Sequence, residues 1–460
     1  MTSLQSLDQY FTNNRDRHLE ELTSFLAIPS ISALSEHQPD MQKAAEWLSN
    51  EFENIGLENV SIEKTAGQSV VYADWLHAEG QPTILIYGHY DVQPVDPLHL
   101  WETPPFEATI RDNKLYARGA SDDKGQVFMH SKAIEALMNV EGKLPVNVKL
   151  IIEGEEEIGS PSLEEYIQNN QDKLAADFIV ISDTGMYGPG QPAICYGLRG
   201  LAGVQIDVKG PKGDLHSGLY GGGVQNPIHA LVEILASFRD AEGTIAIDGF
   251  YDQVRDLTEE ERAGWAALDF DKEAVKKEVG VKELTGEPGY TYTERTWARP
   301  TLEINGVFGG FSGEGIKTVL PSEAGAKITC RLVPDQEPDE IAEKLRAHIA
   351  KHEPVGCEVT VTEFDKGKPY LTPYDHEVIQ AAGRAYEQVY GVPTVYTRGG
   401  GSIPIVAAFD EILNIPVVLM GFGLDTENFH APNEHFHLEN FDKGLRVISS
   451  YYGEIEKLGL

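Results

Sequence analysis

Cysteine is nearly absent from this chain of 460 residues: only Cys195, Cys330 and Cys357 occur, an odd number with no Cys-x-x-Cys spacing. That excludes a disulfide framework and a cysteine zinc finger, and it suits a reducing compartment. Basic charge is scarce as well. Lys and Arg number 37 against 73 Asp and Glu, a formal net charge of -36, and a field of that sign repels phosphate backbones and anionic membranes. Long apolar runs are missing: residues 415–420 are far too few to span a bilayer, and Met1 to Asp8 carry neither a basic nor an apolar leader segment. Repeats and low-complexity tracts are missing too. The expectation is a globular cytoplasmic protein with no nucleic-acid partner and no membrane anchor.

What is present is a chain too long for one ordinary core, 41% hydrophobic, with its 45 Gly and 25 Pro scattered. Leu19, Leu22, Phe25 and Leu26 repeat at helical spacing, as do Ala44, Trp47, Leu48, Phe52 and Ile55 before Gly56, a helix stop. Short β-rich runs follow at 70–75, 83–87, 146–152 and 178–181, with a helical stretch at 125–138 between the middle two. That alternation signals an α/β sheet. From about Leu201 the order becomes strand 203–208, helix from Asn226-Pro227, strands 301–305 and 326–333, helix 338–352 and strand 358–364. This β-α-β-β-α-β series is the ferredoxin-like unit. The α/β pattern then returns with a helix at 374–390 and strands at 394–397 and 417–420. The reading is an α/β domain at 1–198 and 372–460, interrupted by an inserted domain at 199–371. The polar stretch 240–300 within the insert has no evident role.

The residues able to carry chemistry gather where strands end. His89 and Asp91 follow the apolar strand at 83–87, and a period of two puts them on one face. Alone, a His there is ordinarily a hydrogen-bonded structural residue; with a carboxylate two residues away it gains the partner that a metal-bound imidazole needs. Asp122-Asp123 sits in a small-residue loop before a helix, where capping is the plain alternative. Glu155-Glu156-Glu157 follows the strand 146–152, and such a run repels itself unless solvated or held by a cation. Strand 178–181 ends in Ser182-Asp183, and a late loop carries His430. Five such signals at the edge where an α/β sheet places its site are not independent accidents. Two His and several carboxylates without a thiolate suit zinc, with manganese or cobalt as substitutes. The carboxylates are too many for one tetrahedral ion and favour a pair roughly 3.5 Å apart. Other catalytic motifs fail: His352-Glu353 lacks the second His of H-E-x-x-H, Gly310 to Glu314 lacks the last Gly of a nucleophile elbow, and Gly315 to Thr318 is no P-loop.

Together, His89-Tyr90-Asp91-Val92-Gln93-Pro94, Arg118 to Gly125, Glu153 to Ser160, Gly213-Asp214-Leu215-His216-Ser217-Gly218, Cys330-Arg331-Leu332-Val333-Pro334 and Gly399-Gly400-Gly401-Ser402-Ile403-Pro404 strongly resemble the co-catalytic zinc peptidases of the carnosinase, glutamate carboxypeptidase and aminoacylase group. The similarity is greatest to that group's cytosolic non-specific dipeptidases. It implies a two-domain zinc-peptidase fold whose insert is a lid and dimerisation domain, and two zinc ions per subunit. It makes Asp122 the bridging ligand, His89 and Asp183 ligands of one ion, and Glu157 and His430 ligands of the other. Glu156 becomes the general base and Asp91 the partner of His89. Aligning Gly159-Ser160 with the family's Gly-Ser selects Glu156 and Glu157; a one-residue slip would select Glu155 and Glu156. In the family's dimeric members a His of the insert reaches the partner subunit's site, and His216 matches it; alone it is a loop His beside glycines. Arg331 would bind the substrate carboxylate, with donors from the turn at Gly400, Gly401 and Ser402, which is otherwise a plain tight turn.

The leading expectation is therefore a homodimeric dipeptidase acting on small peptides. Its rivals are an acyl-amino-acid deacylase with the same ligands and a catalytically silent scaffold. A two-metal phosphoesterase is disfavoured by the charge and by the lack of a basic phosphate cluster.

Overall fold

Two separate clusters of buried apolar side chains organise the chain. In the computed structural model, which describes residues 4–268, 270–400 and 403–459, they correspond to two units. One comprises Met1–Tyr196, Thr372–Thr397 and Ala408–Leu460, the other Gly197–Leu371 and Arg398–Ala407.

The sheet of the first unit runs in the order Glu58–Glu63, Val70–Trp75, Asn147–Glu153, Thr83–His89, Phe178–Ile181, Val417–Leu419 and Ala193–Leu198. Along the last of these the chain passes into the second unit at Gly197. The four strands from Asn147–Glu153 to Val417–Leu419 are mutually parallel. Their near-continuous apolar runs follow from burial on both faces, since every residue of Phe178–Ile181 and Val417–Leu419 is buried. Because the four run together, His89, Glu153, Ile181 and Leu419 end on one edge, and the loops that follow gather there.

Helix Lys124–Glu141 packs against Leu4–Leu26 and Leu438–Glu456. Its residues from Lys124 to Leu137 are all buried, polar ones included. Lys132 can lie there because its ammonium meets Glu21 at 2.6 Å, Glu51 at 2.6 Å and Glu135 at 2.7 Å. These three carboxylates are close enough together to suggest a metal site, yet the lysine already fills that role.

The second unit holds a four-stranded antiparallel sheet ordered Thr301–Gly309, Glu323–Leu332, Gly200–Lys209 and Glu358–Gly367. Helices Pro227–Ala236 and Pro338–Lys351 contribute Ala230, Leu231, Ile234, Ile341 and Leu345 to its core. This is the ferredoxin-like arrangement. The sequence left 398–407 with the first domain, whereas this segment groups with the second unit. The reason is local: Arg398 pairs with the buried Glu261, and Arg199 Nε donates to the Gly400 carbonyl at 3.0 Å. Among its described residues the polar stretch 240–300 contains three helices, Glu259–Ala266, Lys272–Val279 and Tyr292–Ala298. No helix among the described residues is long and apolar enough to cross a membrane.

Candidate metal centre

Strand Thr83–His89 delivers His89 to the edge where the parallel strands end. Gly88 makes this possible, because a Cβ there would lie 2.4 Å from Val127 Cγ2 and 2.7 Å from the Asp123 carboxylate. Asp123 does not cap its helix through its side chain; its Oδ2 accepts the His89 amide at 3.2 Å. His89 Nδ1 faces the Asp91 carbonyl at 3.1 Å and its Oδ1 at 3.3 Å. That fixes the proton on Nδ1 and turns Nε2 outward. The buried Asp91 carboxylate also accepts the Ser32 hydroxyl at 2.6 Å and the amides of Glu156 and Glu157 at 3.2 and 3.1 Å. One side chain thus orients the imidazole and sets the backbone that bears both glutamates.

Asp122 stands between the two imidazoles. Its Oδ1 is 3.2 Å from His89 Nε2 and its Oδ2 is 2.9 Å from His430 Nε2. Each imidazole faces a further acid: Asp183 Oδ2 is 3.8 Å from His89 Nε2, and Glu157 Oε2 is 3.3 Å from His430 Nε2. His430 occupies left-handed backbone, φ 56°, which costs a residue with a Cβ about 1–2 kcal/mol. Gln93 Nε2 steadies Glu157 Oε2 at 2.7 Å. Glu155 takes no part: its carboxylate accepts from the amides of Gln68 and Ser162. Ligand atoms of His89, Glu156 and Asp183 lie within 4.8 Å of one another, as do those of His89, Asp122 and Glu157.

The donor set fits divalent ions. Burial raises Asp183 to about 8 and Glu157 to about 9, in each case with the Asp122 charge as the next cause. Glu156 is also pushed upward, by burial first. Burial would raise Asp122 too, but the two imidazoles beside it outweigh that and hold it well below the usual carboxylate range. Hydrogen bonding to Asp122 lifts His430 to about 9. Carboxylates crowded to this degree hold protons unless a cation is shared among them.

The chain matches peptidase family M20/M25/M40 over residues 85–453. It belongs to that family. The Cys-Gly metallodipeptidase dug1 of Schizosaccharomyces pombe is 33% identical over 470 residues, spanning 98% of each chain. The Beta-Ala-His dipeptidase of Homo sapiens is 31% identical over 472 residues, covering 99% of this chain and 93% of that one. The solved M20 family metallo-carboxypeptidase Sso-CP2 from Sulfolobus solfataricus superposes with a TM-score of 0.83 at 37% identity, over 96% of this chain and 99% of that one. As an M20/M25/M40 peptidase, the protein is a hydrolase.

The remaining sequence candidates of this peptidase lie in the second unit. His216 is exposed, and its Nδ1 accepts the Gly218 amide at 3.0 Å. Arg331 lines a cavity of that unit. Gly400 is held through its carbonyl by Arg199, while Gly401 and Ser402 fall outside the described residues.

Two glutamates that the sequence reading passed over hold the Asp122 loop. The fully buried Glu434 accepts the amides of Gly119, Ser121 and Asp122 at 2.9, 3.1 and 3.2 Å and pairs with Arg118 at 2.6 Å. Glu427, also buried, takes the Ser121 hydroxyl at 2.5 Å and His437 Nδ1 at 2.6 Å. Glu434 stood in view four residues after His430, but its partners lie more than three hundred positions away.

Proposed function

We propose that this M20-family peptidase hydrolyses dipeptides, with two zinc ions held by His89, Asp183, Glu157 and His430 and shared by Asp122. The observation that carries the reading is the division of the Asp122 carboxylate, one oxygen toward each imidazole, with a separate acid beside each. Imidazole and carboxylate donors without thiolate favour zinc, with manganese or cobalt able to replace it. When bound, such a pair of ions polarises the scissile carbonyl and acidifies the attacking water. Glu156 accepts the proton of that water and hands it to the leaving amine nitrogen. Asp91 keeps His89 in the tautomer whose Nε2 lone pair is outward. The Arg331 fork takes the substrate's terminal carboxylate, aided by donors at Gly400, Gly401 and Ser402. The enzyme works as a homodimer in which His216 donates to the oxyanion in the partner subunit's site. The cytoplasm suits its three free thiols.

The test is hydrolysis of a small dipeptide panel beside N-acetyl amino acids, by metal-stripped protein with zinc or manganese restored, for the wild type and Glu156→Ala. Dipeptide cleavage that needs metal is expected, and it falls about 10²–10⁴-fold in kcat in the variant while metal content stays unchanged. Cleavage of the acetylated compounds alone moves the assignment to a deacylase. No turnover of either class by metal-loaded protein ends the dipeptidase reading.

A further inference from the structure

Acidic as the chain is, one concavity of its second unit gathers arginine. Arg199, Arg239, Arg295, Arg299 and Arg331 line a cavity of about 320 Å³. Among the described residues, two carboxylates share it, Glu287 and Glu303. Glu287 is spent on Arg299, which grips both its oxygens at 2.8 and 2.6 Å. Glu303 lies 3.7 Å from Arg239. Other guanidinium donors go to carbonyls: Arg239 to Gly243 and Leu302 at 2.9 and 2.7 Å, Arg295 to Glu287 at 2.8 Å, and Arg199 to Gly400 at 3.0 Å. A carbonyl satisfies a hydrogen bond and leaves the charge, and among the described lining residues five guanidinium groups stand against two carboxylates. Burial, and then the Arg331 charge, lower the Arg199 guanidinium to about 10. The groups are also held in place, with Arg299 stacked 4.3 Å from the Tyr290 ring centroid and 5.3 Å from that of Tyr251.

A cleft lined by one sign of charge focuses a field that draws an oxyanion, and the fork of arginine matches paired oxygens of carboxylate or phosphate. We infer that this cavity binds a compact dianion with clustered oxygens, a dicarboxylate or phosphate, using Arg199, Arg239 and Arg295. This goes beyond the single terminal carboxylate proposed for Arg331. Its source is either a second carboxylate on an acidic peptide substrate or a free small dianion. Only that choice of source rests on the dipeptidase reading; the binding does not.

Calorimetric titration of the full, metal-loaded chain with inorganic phosphate and with succinate tests it, in the wild type, the double variant Arg239→Gln/Arg295→Gln and Glu303→Gln. Saturable binding is expected, at least about tenfold weaker in the double variant, and tighter in Glu303→Gln, where a competing carboxylate is gone. Absence of saturable binding of either anion overturns the proposal. So does binding that ignores both variants, as phosphate held by the metals would. Phosphate that competes only with dipeptides bearing an acidic side chain identifies the substrate as the source. Phosphate that binds and leaves all hydrolysis unchanged identifies a free anion. If no peptide is cleaved at all, the dipeptidase reading fails while the binding result stands.

Discussion

Burial, with the Asp122 charge behind it, pushes the carboxyl of Asp183 up to about 8 and that of Glu157 up to about 9. A divalent ion binds the ionised forms, so each ion bound below these values must displace protons. The sign follows: as pH falls from 9 toward 6, protons compete more strongly and affinity drops; as it rises, affinity grows until both groups are ionised. His430, lifted to about 9, also carries a proton that must leave, so zinc titrated into metal-stripped protein at pH 7, in buffers of different protonation enthalpy, is expected to release about two to three protons. An affinity that stayed level from pH 6 to 9 would remove these carboxylates from the ligand set. At this scale the sequence showed what is local. His89 and Asp91 were paired by the strand period, whereas the choice of Glu156 and Glu157 over Glu155 came only from the resemblance, which aligned Gly159-Ser160 with the family's Gly-Ser and left a one-residue slip open. It did not show that Asp123 supports the His89 amide, because a helix cap explained it equally well. Nor did it show Glu427 and Glu434, whose contacts exist only once distant segments meet.

Helices Leu4–Leu26, Gln38–Asn54 and Lys124–Glu141 supply Glu21, Glu51 and Glu135 to one buried ammonium, that of Lys132. Replacing it by methionine keeps the length and removes the charge, leaving Glu21 to Arg17 and Glu135 to Arg17, His18 and the Tyr10 hydroxyl. Breaking a buried ion pair from one side costs about 3–5 kcal/mol. Lys132→Met is therefore expected to lower the denaturant midpoint substantially, and unchanged urea unfolding would show that the cluster protonates at no cost. Elements with one continuous signal were legible to the residue, as in Val70–Trp75 and Phe178–Ile181. The edge strand Glu58–Glu63, with no fully buried residue, had no pattern to read. The short helices at 240–300 were announced only by their caps, the Thr-x-x-Glu boxes at Thr258 and Thr291 and the Asp271 cap with Gly280 at the far end, too little against a polar background.

Every proposed ion ligand belongs to the first unit, and the second has its own core. Zinc at about a thousand times its dissociation constant adds about 4 kcal/mol to whatever folds around it. In scanning calorimetry, removal of metal is expected to lower the transition of the first unit and leave that of the second in place. An equal shift of both would mean that the two cores melt as one. The insertion itself was legible, since β-α-β-β-α-β interrupts a pattern that later resumes; the grouping of 398–407 was not, because it depends on side chains of the insert. That interruption also has a consequence in time. Roughly 250 residues separate Asp183 from His430, so at about 5–20 residues per second of synthesis the ligand set stays open for on the order of 10–50 s. Four ligands emerge early, the whole insert must follow, and the last imidazole arrives near the end. A ribosome that stalls within the insert leaves a nascent chain able to gather carboxylates but not to close around its ions, so tight metal retention marks molecules translated past residue 430.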